Sequence, residues 1–245
     1  MRNNEAAVAA RSLELHTRQG RVFGPVALEA GAGSITAVLG ASGSGKTALL
    51  LALTGRMRPS HGSARICGLD VTRDAAKVRR ITGLGLISGV NDLEPGLTVE
   101  QHVAEQRLIV GRSRRTSRDV LALVGLSGAG AIRARDLSAE QRVRLGLALA
   151  LVGEPRVVVV DDLDRDLTAE QAASVGRTLR ALADDGLTVL VACLDENSAS
   201  FADAAMWATA PLSPFEDEDT ETEPDTRAQT DTTADTEEVV ADAFA

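Results

Sequence analysis

The chain has 245 residues, 44% of them hydrophobic, enough to bury one substantial core with an attached lobe, and every apolar run falls short of the roughly 18 residues that cross a bilayer. Its net charge of −9 sits at one end: Glu216 to Ala245 holds 12 acidic residues against the single Arg227, a net of −11, which leaves +2 on everything before it. These numbers exclude a membrane-spanning chain, and with only two cysteines, Cys67 and Cys193, set in apolar segments without metal-type spacing, they leave no basis for cysteine chemistry.

Residues 1–10 lack the apolar core of a secretion signal and are expected to be a flexible lead-in, with the chain remaining in the cytoplasm. Ser12 to His16 alternates apolar with polar, Val22 to Leu28 is strand-like, and Glu29 to Gly33 turns into the buried strand Ser34 to Leu39. A helix from Ala48 to Leu53 follows, then a break at Pro59 to Gly62, a strand at Ala64 to Cys67, a turn at Gly68 to Asp70 and a strand at Gly83 to Ser88. Apolar residues at helical spacing then mark Val99 to Val110, Arg118 to Val124 and Ala139 to Leu151, with a loop at Gly125 to Gly130; these helices make an inserted lobe over about 90–150. The continuous apolar run Arg156 to Val160 ends in Asp161 and Asp162, Thr168 to Ala183 is helical, Thr188 to Cys193 is a buried strand, and Ala204 to Ala208, with Trp207, is a last strand-like piece. Strands alternating with helices predict an α/β fold with a mainly parallel core sheet, preceded by a small antiparallel β subdomain. The domain spans 11–210, and 211–245, rich in Thr, Asp and Glu, is expected to be a disordered acidic tail because it has too little apolar surface to offset its ordering entropy.

Between the third strand and the first helix stands GASGSGKT: Gly40, Ala41, Ser42, Gly43, Ser44, Gly45, Lys46 and Thr47, with Ala48 opening the helix. The pattern G-x-x-x-x-G-K-[ST] places glycines where backbone amides must curl around phosphate oxygens, a lysine for the outer phosphates, a hydroxyl for Mg2+, and a helix N-terminus aimed at the anion. Lys46 and Lys77 are the chain's only lysines, so a lysine falling by accident at this place in the pattern is improbable. The expected ligand is a nucleoside triphosphate. About 115 residues later, Asp161 at the end of an apolar strand supplies the second Mg2+ anchor that such a site requires.

Ahead of Asp161 lies Leu137-Ser138-Ala139-Glu140-Gln141, then a helix, then Glu154-Pro155, and the arrangement resembles the nucleotide-binding subunit of an ABC transporter from about Ser12 to Thr209. The resemblance implies a P-loop NTPase of ABC-ATPase type that binds ATP and Mg2+, forms a head-to-tail homo- or heterodimer, docks on a separate transmembrane permease subunit, and lies peripherally on the inner face of the cell membrane. It also implies that Ser138, Ala139, Glu140 and Gln141, in place of the family's LSGGQ, approach the nucleotide of the opposing subunit. Ala139 adds a methyl and Glu140 a negative charge at that approach, although Ser138 and Gln141 still spell a capping box.

Other family positions depart as well. Gly89 stands where a glutamine is expected, Asp162 replaces the catalytic glutamate with a carboxylate one methylene shorter, Thr168 replaces an aspartate, and Leu194 replaces a histidine and cannot hydrogen-bond a phosphate. Slow hydrolysis is the expectation, with a nucleotide-dependent switch of negligible turnover as the alternative. A small-molecule kinase would leave LSAEQ without a role. The aromatic ring that stacks adenine in the family falls near Thr17, for which Phe23 and His16 are the nearby substitutes. The cluster Arg112 to Arg118 has no interleaved aromatics and reads as a solvated turn, with no nucleic acid as partner. The preference for Arg over Lys, with abundant Ala and Gly, points to a GC-rich bacterial genome.

Overall fold

The computed structural model describes residues 6–111 and 113–208; the acidic segment and Arg112 lie outside the described residues. Two sheets organise the chain. An antiparallel sheet of order β2-β1-β4-β5 is built from β1 (Ala6–Thr17), β2 (Gly20–Gly31), β4 (His61–Ile66) and β5 (Leu69–Asp70). A parallel sheet of order β6-β7-β8-β3-β9 comprises β3 (Ile35–Leu39), β6 (Thr82–Leu84), β7 (Val157–Val160), β8 (Thr188–Cys193) and β9 (Ala204–Trp207). Strands β3, β7 and β8 are buried on both faces, which is why they read as unbroken apolar runs. Strand β9 is one edge, opposite β6, and Trp207 lies there 56% exposed. The start of β9 is tied to β3 by Asp203, whose carboxylate accepts the Ile35 amide at 2.7 Å; the paired Arg180 guanidinium holds that carboxyl below its ordinary pKa.

Six α-helices are described: α1 (Lys46–Leu53), α2 (Ala75–Ile81), α3 (Val99–Val110), α4 (Ser117–Leu123), α5 (Ala139–Leu151) and α6 (Ala169–Asp184). Four of them, α3 to α6, open with the same reciprocal cap, Thr98 with Gln101, Thr116 with Asp119, Ser138 with Gln141 and Thr168 with Gln171. Each box satisfies two orphan amides, so the start of these helices is written in the local sequence. Helix α5 is bound to its neighbours through Arg144, which donates to the Val124 carbonyl at 2.7 Å, Thr178 Oγ1 at 2.9 Å and Ser174 Oγ at 2.9 Å, and pairs with Glu140. Gly146 of the same helix lies so close to Leu86 that an added Cβ would sit 2.5 Å from its Cγ.

The structure departs from the expected elements at several places, β2 running on to Gly31 and β4 starting at His61 among them. Strand β1 begins at Ala6, so residues 6–10 belong to the sheet rather than to a flexible lead-in; pairing on both sides, Val8 with Ala30 and with Ile66, overrides the weak strand preference of alanine. Strand β6 stops at Leu84 rather than continuing to Ser88, because the Asn91 side chain takes the Gly85 carbonyl at 2.9 Å and the Ile87 amide at 2.8 Å. Leu69 and Asp70 pair back on Ile66 and Arg65 as a short strand. Helix α2 has no expected counterpart.

Candidate phosphate site

Strand β3 delivers Gly40 and helix α1 begins at Lys46, so the six residues Gly40 to Gly45 form the loop between sheet and helix, and Lys46 and Thr47 open the helix, as the spacing implied. Gly45 adopts φ 85° as the helix N-cap, and a side chain there would collide with the Val22 carbonyl, which leaves glycine as the only residue that fits both demands. The amides of Gly43, Gly45, Lys46 and Thr47 donate to no acceptor among the described residues, and the Ser44 hydroxyl is buried without a partner. Unsatisfied donors gathered at a helix N-terminus are what an anionic oxygen fills.

Lys46 is 4% exposed, and its Nζ donates to the carbonyls of Gly40 at 2.6 Å and Ala41 at 3.0 Å, so the ammonium lies across the loop. Thr47, 114 residues from Asp161 in sequence, donates its hydroxyl to Asp161 Oδ2 at 2.6 Å. A hydroxyl and a carboxylate side by side are hard oxygen donors suited to Mg2+. Among the described residues no group of three or more His, Cys, Asp or Glu gathers for a metal, so an ion here would take its other ligands from phosphate and water, as magnesium does.

Burial pushes the Asp161 carboxyl up, the neighbouring Asp162 adds to the rise, and the Thr47 hydrogen bond opposes it. An upward shift means the carboxylate is most favourable when protonated at low pH and becomes a cost as pH rises through its folded pKa. Asp161→Asn should therefore raise the melting temperature of the nucleotide-free protein at pH 7, while removing the Mg2+-dependent stabilisation by ATP. Thermal melts with and without Mg-ATP check both halves.

Asp162 follows at φ 44°, and its Oδ2 is paired with Arg165 Nη2 at 2.8 Å. Gly89 gives its amide to Asp92 at 2.9 Å, and Thr168 is spent capping α6. Leu194 has an exposed side chain, and its amide donates to Asp164 Oδ2 at 2.7 Å. Ser138 to Gln141 open α5 with the same cap that TAEQ gives α6, and none of their hydrogen bonds reaches the phosphate loop. The Glu140 carboxylate is directed along its own helix to Arg144 at 2.9 Å, which offsets the charge expected there.

Of the two substitutes for an adenine ring, Phe23 drops out and His16 stays at the surface. Phe23 is fully buried in the core beneath the loop, and His16 is bound to Glu14 at 2.9 Å with its ring edge-to-face on His61. Thr17 closes the β1–β2 turn through the Gly20 carbonyl. Both groups are held as thiols rather than thiolates at neutral pH: burial raises Cys67, and burial with Asp164 and Asp195 pushes Cys193 up to about 12. Arg114, from the basic cluster, gives its amide to Glu154. Sequence reasoning missed Arg165 and Asp164; the charge run Asp161-Asp162-Leu163-Asp164-Arg165-Asp166 was the available signal.

A model of the ABC transporter family matches residues 23–164. An uncharacterised ABC transporter ATP-binding protein of Mycobacterium tuberculosis is 34% identical over 190 residues, covering 74% of this chain and 57% of that protein, so the chain spans little more than half its length. The ATP-binding protein LolD of the lipoprotein-releasing system of Oleidesulfovibrio alaskensis is 32% identical over 73% of this chain and 81% of its own. Among solved structures, cbiO1 from Clostridium perfringens, part of the transporter complex cbiONQ, superposes with a TM-score of 0.73 at 21% identity over 84% of this chain and 86% of that one. A dimeric ATP-binding cassette with ADP and phosphate bound gives 0.70 at 21% identity over 82% and 94%.

Proposed function

This chain belongs to the ABC transporter family, and from that membership we propose that it is an ATP-binding subunit that couples nucleotide-driven dimer closure and slow ATP hydrolysis to a separate membrane subunit. The observation that carries this reading is the Thr47–Asp161 bond of 2.6 Å beside a buried lysine and a set of free amides. Lys46 holds the outer phosphates, Thr47 and Asp161 hold Mg2+, and Ser138 faces the nucleotide of the opposing subunit. The bound ion would neutralise charge on the phosphates. Asp162 orients the attacking water and accepts its proton, while the water oxygen bonds to the γ-phosphorus and the bond to the bridging oxygen breaks, its electron pair leaving on ADP. No helix among the described residues is long and apolar enough to cross a membrane, which fits a partner that supplies the span.

Steady-state phosphate release from the full chain, with and without a membrane partner, tests the reading. Turnover that falls by about 100-fold or more in Asp162→Asn, with ATP affinity kept, supports hydrolysis at this carboxylate. The exposed Leu194 and the ion-paired Asp162 favour a second reading, in which nucleotide only sets dimer or partner affinity. Nucleotide-dependent dimerisation with no phosphate release under either condition would select it.

A further inference from the structure

The loop after β7 holds an ion pair that phosphate binding does not require. The Arg165 amide donates to the Asp162 carbonyl at 3.0 Å, closing a turn that brings the two side chains together, and Arg165 Nη2 meets Asp162 Oδ2 at 2.8 Å. Asp162 stands in the left-handed region at φ 44°, sparsely populated for a residue with a side chain, so its carboxylate is aimed by the turn and not by a regular strand. Lys46, the loop's own cation, is turned to the carbonyls of Gly40 and Ala41, which leaves Arg165 as the charge partner of Asp162.

We propose that Arg165 is a positioning residue that restrains Asp162: the guanidinium draws the carboxylate toward its own turn, and water is oriented only in the fraction of molecules where the pair has opened. This rests on the hydrolytic reading of Asp162. An aspartate has one methylene less reach than glutamate, so a sideways pull on it displaces the accepting oxygen where little slack exists. The Arg165 side chain is 55% exposed, and an exposed pair of this kind shifts an equilibrium by up to about fivefold, so the restraint is a brake and not a lock. It is also screened by salt, since the Debye length falls from about 10 Å at 0.1 M to about 3 Å at 1 M.

The test compares the full-length parent, Arg165→Ala and Arg165→Lys at saturating Mg-ATP in low and high potassium chloride, with nucleotide affinity measured on the same samples. Arg165→Ala should raise kcat about two- to fivefold with KM unchanged, and Arg165→Lys should stay near the parent. The parent's kcat should rise with salt while that of Arg165→Ala does not, a pattern that a merely structural role would not produce. An Arg165→Ala rate equal to or below the parent's, with nucleotide still bound, overturns the brake and leaves the ATP-binding reading intact. Failure of the parent to bind ATP overturns both.

Discussion

Replacing Lys46 by alanine should lower the affinity for Mg-ATP by about 100-fold or more while leaving the fold in place. Lys46 is 4% exposed and its ammonium is held by two carbonyls, with no carboxylate in contact among the described residues. A buried cation so arranged is costly until an anion arrives, and its attraction to a phosphate about 4 Å away is roughly 4 kcal/mol at the effective dielectric of a protein surface. Each 1.4 kcal/mol or so is tenfold in affinity, so even two thirds of that attraction accounts for the expected loss. The variant gives up two hydrogen bonds but also the buried charge, and its melting temperature should stay within a few degrees of the parent's. Equilibrium titration and a thermal melt on the same preparation separate a lost site from a lost fold; unchanged affinity would remove Lys46 from the site.

Arg144→Ala should be the most destabilising of the substitutions considered, by about 3 kcal/mol, lowering the melting temperature by about 6–12 °C. One side chain, 11% exposed, joins Glu140 on its own helix to the Val124 carbonyl at the end of α4 and to Ser174 and Thr178 on α6. Truncation leaves a carbonyl, two hydroxyls and the Glu140 carboxylate to find new partners at once. The consequence reaches the start of α5: Glu140, no longer paired, would bring its full negative charge to the segment proposed to face a nucleotide. Glu140→Gln placed on top of Arg144→Ala should therefore recover part of the lost stability, as read by urea denaturation, and no recovery would show that the pair contributes little.

The strands β3, β7 and β8 and the loop between β3 and α1 were legible because burial on both faces demands unbroken apolar runs and phosphate binding demands glycines at fixed spacing. Helices α3 and α5 were legible to the residue, since Thr98 and Ser138 announce their own caps. Helix α2 was not, because Val78 is its only buried residue and one apolar contact has no period to detect. The early end of β6 depended on Asn91, a side chain beyond the strand that competes for its backbone. The pairing of Glu140 with Arg144 was readable as a four-residue helical spacing, whereas the one between Asp162 and Arg165 depended on a turn that no residue type signals. The loss of Phe23 as a base-stacking ring was decided by tertiary burial, which local reading does not reach.

The most direct test is calorimetric titration of Mg-ATP into the full chain. Saturable binding at one site per chain, lost in Lys46→Ala, is the predicted result; a flat titration for the unaltered protein would contradict the account.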